Sequence, residues 1–171
     1  MDNRVRIVGG DWRSRLIRFP GKFDIRPTPD RVRETVFNWL GQTLHGKTCL
    51  DLFAGSGAMG FEALSRGAEK VTMVENNREV ARSIAENAKA LGCDRLDLVC
   101  RDAIEFLDSE SGVYDVIFLD PPFGRNYLPL IWPKLVRHVA GNGRVYIEAE
   151  TLPEIPRDWT LMKSGKAGKV N

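Results

Sequence analysis

Long apolar runs are missing from this sequence. No stretch approaches the roughly 20 apolar residues that a membrane helix needs, and charged residues make up 28% of the chain. A soluble protein with no membrane partner is expected. Cysteine is scarce: Cys49, Cys93 and Cys100 are the three present. Their number is odd and they lack CxxC or Cys/His spacing, which predicts reduced thiols and argues against a zinc site, so no metal is expected. Neither an internal repeat nor a low-complexity segment is visible. The opening MDNRVRIVGG has an acid at position 2 and no apolar run long enough for a secretory segment, so a cytoplasmic compartment is expected. His45 and His138 read as surface residues.

The 171 residues, 43% of them hydrophobic, are enough for one well-buried core and too few for two comfortable domains. Net charge is +2, unevenly spread: residues 1–33 hold nine Lys/Arg against four acids, leaving 16 basic and 19 acidic residues in the remainder. A basic beginning suits contact with a polyanion.

From residue 48 to 150, short apolar runs alternate with helical patterns, the signature of βαβ units and a parallel sheet. Strands are expected at 48–53, 70–75, 96–100, 114–120 and 144–150, with helices at about 57–65, 77–92, 103–107 and 127–139. Residues 159–171 read as a strand, a turn and the start of a last strand. Ahead of the sheet, RIVGGDWRSRLIRFP (6–20) reads as two β-like arms around a Gly9-Gly10 turn. In TPDRVRETVFNWLG (28–41), Thr28 is the expected N-cap and Pro29 the first helical residue. The division expected is a basic hairpin extension over 1–27 and a main domain over 28–171.

LDLFAGSGAMG (50–60) places Gly55-x-Gly57-x-x-Gly60 directly after a strand and into a helix. Such glycines allow a tight turn and close approach of a ligand to backbone amides, which fits a dinucleotide or S-adenosylmethionine. Two acids refine the choice. Asp51, before the loop, can hold a cationic amino group, where a pyrophosphate would gain nothing. Glu75, at the end of the second strand, can accept from both ribose hydroxyls in either kind of site. Asp102, after the third strand, can accept from an adenine amine, or it can be a helix N-cap.

YDVIFLDPPFG (114–124) ends a buried strand abruptly. Asp120 points into the crevice at the strand ends, while Pro121 and Pro122 fix the backbone and remove two donors. A carboxylate and a carbonyl held together accept from an –NH2 group, and Phe123 offers a face for a base, worth roughly 1–3 kcal/mol. An exocyclic amine is a poor nucleophile because its lone pair is delocalised. Two acceptors favour a pyramidal nitrogen aimed at a methyl donor, and in-line placement supplies much of the rest.

The set DLFAGSG, VENN, RDA and DPPF resembles the class I S-adenosylmethionine-dependent amino-methyltransferases. RIVGGDWRSRLI followed by RPTPDRVRETVFNWL narrows the resemblance to the RsmD family, over nearly the whole chain. That resemblance implies a Rossmann-like α/β fold, a seven-stranded, mostly parallel sheet with helices on both faces and a small N-terminal β-hairpin extension. It implies methylation of the N2 amine of guanine 966 in 16S ribosomal RNA, with the RNA or a small-subunit assembly intermediate as partner and a monomeric enzyme. Asp51, Phe53, Ala54, Gly55, Ser56 and Gly57 would line the S-adenosylmethionine pocket, Glu75 and Asn76 the ribose site, and Asp102 and Ala103 the adenine site. Asp120, Pro121, Pro122 and Phe123 would receive the guanine, with Asp120 also touching the cofactor. Arg4, Arg6, Arg13, Arg15 and Arg18, interleaved with Trp12, suit phosphate contacts and stacking on unpaired RNA.

Pro29 stands where the family often has a second Thr, and the family's last strand usually continues past Asn171. Three other readings stay open on the residues alone: an amino-methyltransferase of another base specificity on DNA or RNA, an NAD(P)-linked Rossmann enzyme, and a non-catalytic RNA-binding module on a decayed methyltransferase fold.

Overall fold

Strands β1 (Asp2–Arg6) and β2 (Leu16–Pro20) pair antiparallel at the start of the chain. Helix α1 (Asp30–Leu40) leads to five βαβ-linked strands: β3 (Thr48–Asp51), β4 (Lys70–Val74), β5 (Leu96–Val99), β6 (Tyr114–Leu119) and β7 (Val139–Ile147). The intervening helices are α2 (Ala58–Ser65), α3 (Arg78–Leu91), α4 (Ala103–Ser109) and α5 (Leu128–Leu135). This computed structural model describes residues 2–168.

The five strands form one parallel sheet in the order β5-β4-β3-β6-β7. Alternate strand residues face opposite layers, because successive side chains in a strand point to opposite faces. Cys49, Val71, Met73, Val116 and Phe118 pack with α1, α2 and α3, whereas Leu50, Val74, Ile117 and Leu119 pack with α4 and α5. Helices therefore cover both faces. The order reverses between β3 and β6, which opens a crevice beyond their C-terminal ends, where ligands of such sheets bind.

The central sheet has five strands among the described residues, not the expected seven. Residues 148–168 form no strand. Pro153 and Pro156 deny that stretch ladder donors, and the strand expected from residue 159 does not form. Lys169 and Val170, placed in a last strand by the sequence pattern, lie outside the described residues.

Local chemistry explains the element boundaries. Asn77 caps α3 by accepting from the amides of Glu79 (2.9 Å) and Val80 (3.2 Å), and Gly92 ends it with φ 67°. Pro29, rather than Thr28, is the N-cap of α1, and no side chain caps that helix. The Thr28 hydroxyl is committed elsewhere: it donates to Glu148 Oε2 at 2.5 Å. Strand β7 begins at Val139, earlier than expected, and crosses an irregular register between the Tyr114–Val139 and Val116–Arg144 pairs. Gly141, Asn142 and Gly143 fill that bulge.

His138 is fully buried, contrary to expectation. Its Nδ1 lies 2.8 Å from the Gly112 carbonyl, and its Nε2 lies 3.2 Å from Arg137 Nε, so the ring is satisfied without water. His45 is exposed.

The hairpin is fastened to the sheet layer through polar groups as well as packing. Ile7 and Ile17 enter the same core as α1 to α3. Residues 7–15 form a longer connection than a Gly9-Gly10 turn because α2 holds them. Val8 and Gly9 donate their amides to Glu62, both at 2.9 Å, and Ser65 Oγ donates to the Gly9 carbonyl at 2.5 Å. Glu62, itself fully buried, also accepts from Arg33 Nη1 (3.1 Å) and Arg66 Nε (3.0 Å). Further along, Asn87 on α3 accepts from the Arg18 amide (3.0 Å) and donates to its carbonyl (2.7 Å).

Candidate active site

The crevice is a cleft of about 560 Å³ over the ends of β3, β4 and β6. Asp51, Phe53, Ala54, Gly55, Ser56, Glu75, Asn76, Asp102, Ala103 and Asp120 to Phe123 all line it. Of the residues assigned to the cofactor from the sequence, only Gly57 is not in the lining; it forms the turn beneath. Its φ of 82° is left-handed, and a Cβ there would lie 2.9 Å from the Phe61 ring. At Gly60 a Cβ would meet Met73 Cε at 2.4 Å, so this glycine brings α2 down onto β4.

Each acid has a defined setting. Asp51 is buried and accepts from the Gly60 amide at 3.1 Å. Burial pushes its carboxyl up to about 7; the Gly60 amide opposes this, and the charges of Glu75 and Glu148 add to it. Glu75 accepts from the amides of Gly55 and Asn77, each at 2.9 Å, and thereby clamps the glycine loop to the end of β4. Its carboxyl is raised by burial, which these amides oppose. Asp102 caps α4, with Oδ1 accepting from Ile104 (2.9 Å) and Glu105 (3.1 Å). The cap uses one oxygen while the residue still borders the cleft.

Asp120 follows β6, and burial pushes its carboxyl up to about 8, with Glu148 and Asp51 contributing. The register explains this grouping. Asp51 pairs with Phe118, and Phe118 with Tyr146; stepping two residues along β6 and β7 brings Asp120 and Glu148 to the same side of the sheet. Sequence reading missed Glu148, Tyr146 and Thr28. Glu148 is buried and accepts from the hydroxyls of Thr28 and Tyr146; burial raises its carboxyl and these bonds oppose the rise. The signal was present as the first acid of the YIEAE stretch, but its importance depends on the β6–β7 register.

Phe123 is 47% exposed beside the cleft. Phe53 and Tyr127 pack with ring centres 5.5 Å apart. A second cavity, of about 690 Å³, is lined by Pro121, Pro122, Phe123, Tyr127, Trp132 and residues of the 148–156 segment. Pro121 to Phe123 thus border both spaces.

The six residues assigned to RNA lie on the hairpin, away from the cleft lining. Arg4, Arg6, Arg13, Arg15 and Arg18 are exposed. Arg4 and Arg18 sit directly opposite one another, Arg6 pairs with Asp30 at 3.0 Å, and Arg15 donates to the Ala90 carbonyl at 3.2 Å. Trp12 is half-buried, with the Arg95 guanidinium 6.0 Å from its ring centre.

A glycine loop between two parallel strands, an acid at the next strand end and Asp-Pro-Pro-Phe across the switch point define a class I S-adenosylmethionine-dependent methyltransferase. Asp51, Glu75 and Asp120 line one cleft, a set of carboxyl acceptors that suits a ligand carrying a sulfonium, an ammonium and ribose hydroxyls, so the cleft fits that methyl donor. Within the class, the chain belongs to the RsmD family, whose profile, described as "Conserved hypothetical protein 95", matches residues 5–171.

A relative from Escherichia coli K12, "Ribosomal RNA small subunit methyltransferase D", is 39% identical over 98% of this chain and 87% of its own length. The protein of the same description from Haemophilus influenzae is also 39% identical, over 98% and 91%. Among solved structures, a putative methyltransferase from Escherichia coli superposes with a TM-score of 0.89 at 40% identity, covering 98% of this chain and 94% of that one. S-adenosylmethionine is the methyl donor that this family and fold imply. Among the described residues no helix is long and apolar enough to cross a membrane, and no group of His, Cys, Asp and Glu could hold a metal ion.

Proposed function

We propose that the protein methylates the N2 amine of a guanine in 16S ribosomal RNA, on the RNA or a small-subunit assembly intermediate, as a monomer in the cytoplasm. The observation that carries this reading is the position of Asp120 to Phe123: Pro121, Pro122 and Phe123 border both the cofactor cleft and a second cavity, as a group transfer between two ligands requires. The names of the family relatives support ribosomal RNA of the small subunit as substrate.

S-adenosylmethionine supplies a methyl carbon on a sulfonium, whose sulfur leaves with the bonding electron pair. Asp51 and Glu75 hold the cleft side, and Asp102 with Ala103 borders the adenine end. Asp120 and the Pro121 carbonyl accept from the amine N–H groups, which directs the nitrogen lone pair and gives the departing proton a place on the carboxylate. Phe123 stacks on the base.

The hairpin supports a polyanionic partner. Arg4 and Arg18 face each other across the β1–β2 pair, and like charges directly opposite are destabilising. An RNA phosphate between them relieves that repulsion. Arg6, Arg13 and Arg15 extend the surface, and Trp12 supplies an aromatic edge, so residues 1–27 act as an RNA-contacting extension of the 28–171 methyltransferase domain.

The test is transfer of labelled methyl from S-adenosylmethionine to 16S RNA, free and in partly assembled subunits, followed by nuclease digestion and mass spectrometry. N2-methylguanosine at one position, guanine 966 in the RNA's own numbering, is expected. Label on another base, or none on either substrate, contradicts the proposal.

A further inference from the structure

Acceptors at an amine do not by themselves choose a base, since adenine and cytosine also carry exocyclic amines. Guanine differs in having N1–H, a second donor, directly beside its N2 amine. A site for it needs one acceptor for each. An adenine would bring its N1 lone pair to the second acceptor and be repelled.

We infer that Glu148 is the specificity-determining residue, accepting the guanine N1–H while Asp120 accepts the N2 amine; this rests on the function proposed above. Three features of the structure support the assignment. The Glu148 amide donates to the Leu119 carbonyl at 2.9 Å, so the residues following the Leu119–Ile147 pair lie side by side. Glu148 lines the 690 Å³ cavity beside Pro121, Pro122 and Phe123, while its partners Thr28 and Tyr146 line the cofactor cleft. Glu148 is only 8% exposed, and its carboxylate is braced by the Thr28 hydroxyl at 2.5 Å and by that of Tyr146. Two hydroxyls donating to it hold it as an acceptor and fix its rotamer. Thr28 comes from the segment before α1, so the brace spans the two ends of the chain.

The experiment compares 16S RNA carrying guanine at the methylated position with RNA carrying 2,6-diaminopurine there. The analogue keeps the N2 amine but has a bare, accepting N1. The wild-type protein is expected to prefer guanine by roughly 10- to 100-fold in kcat/KM, the discrimination of one good paired contact to a base edge. In Glu148→Gln, whose amide can donate to the analogue's N1, that preference falls at least about tenfold. S-adenosylmethionine still binds the variant in calorimetry because Glu148 does not line the cofactor cleft, but fewer protons are released, since loss of the Glu148 charge lowers the proton affinity of Asp51 and Asp120.

Equal wild-type rates on guanine and the analogue overturn the inference, and so does an unchanged preference in Glu148→Gln. If the variant does not fold, equal wild-type rates on the two substrates still overturn the inference. A wild-type protein that methylates guanine N2 yet ignores N1 removes only the role of Glu148. One that leaves guanine N2 unmodified removes the functional reading itself.

Discussion

Binding of S-adenosylmethionine should expel protons from this protein. In the free cleft, burial holds Asp51 at about 7 and Asp120 at about 8. At pH 7 these two carboxyls together carry about 1.4 protons, about 0.5 on Asp51 and 0.9 on Asp120. A bound sulfonium and ammonium favour the ionised forms, so complete ionisation in the complex releases those protons and affinity rises with pH. The contribution of these two carboxyls to the slope of log K against pH is then about 1.4 at pH 7 and about 0.1 at pH 9.

Asp120→Asn should cut the release at pH 7 to about 0.5. Calorimetry at pH 7 in two buffers of different ionisation enthalpy counts the protons directly. The ligand's own α-ammonium, which titrates near 8, contributes equally to both proteins, so the difference isolates Asp120. Equal release by wild type and variant refutes the reasoning. Stability of the free protein follows the same sign. Both carboxyls lie above their unfolded values, so the native state binds more protons than the unfolded chain between pH 4 and 8. Stability therefore falls as pH rises through that window.

Two further outcomes concern the supports of the site. Glu62→Ala removes the acceptor of two loop amides and the main buried partner of Arg33; urea unfolding should show a loss of about 3 kcal/mol, and a loss below about 1 kcal/mol would contradict the assigned role. Arg4→Ala combined with Arg18→Ala should weaken RNA binding and reduce the salt slope by about 0.7, the value for the one phosphate placed between them. Titration of cofactor into that double variant should match wild type, since neither arginine borders the cleft.

Most of the sheet was legible because burial on both faces leaves short, mostly apolar runs, clearest in VIFL (116–119) of β6. Helix α3 was equally plain from Asn77 at one end and Gly92 at the other. The acids of the cleft could be read because each stands at a strand end, and parallel strands place their C-terminal ends together.

What was not legible depends on tertiary contacts. Thr28 looks like a helix cap until β7 brings Glu148 to it. His138 looks like a surface residue because nothing local shows that the distant Gly112 carbonyl will meet its ring. AGNG (140–143) falls between the expected helix and strand, yet β6 recruits it into a bulged strand. The seven-strand expectation came from likeness to a family; residues 148–168, broken by Pro153 and Pro156, add no strand to the sheet.

The central claim is that Asp120 and the rigid prolines after β6 present an amine to the methyl donor. Single-turnover methyl transfer to 16S RNA by Asp120→Ala, at saturating S-adenosylmethionine, tests it most directly. A rate reduced by at least about 100-fold, with cofactor binding retained, is the expected result. A rate equal to wild type would contradict the account.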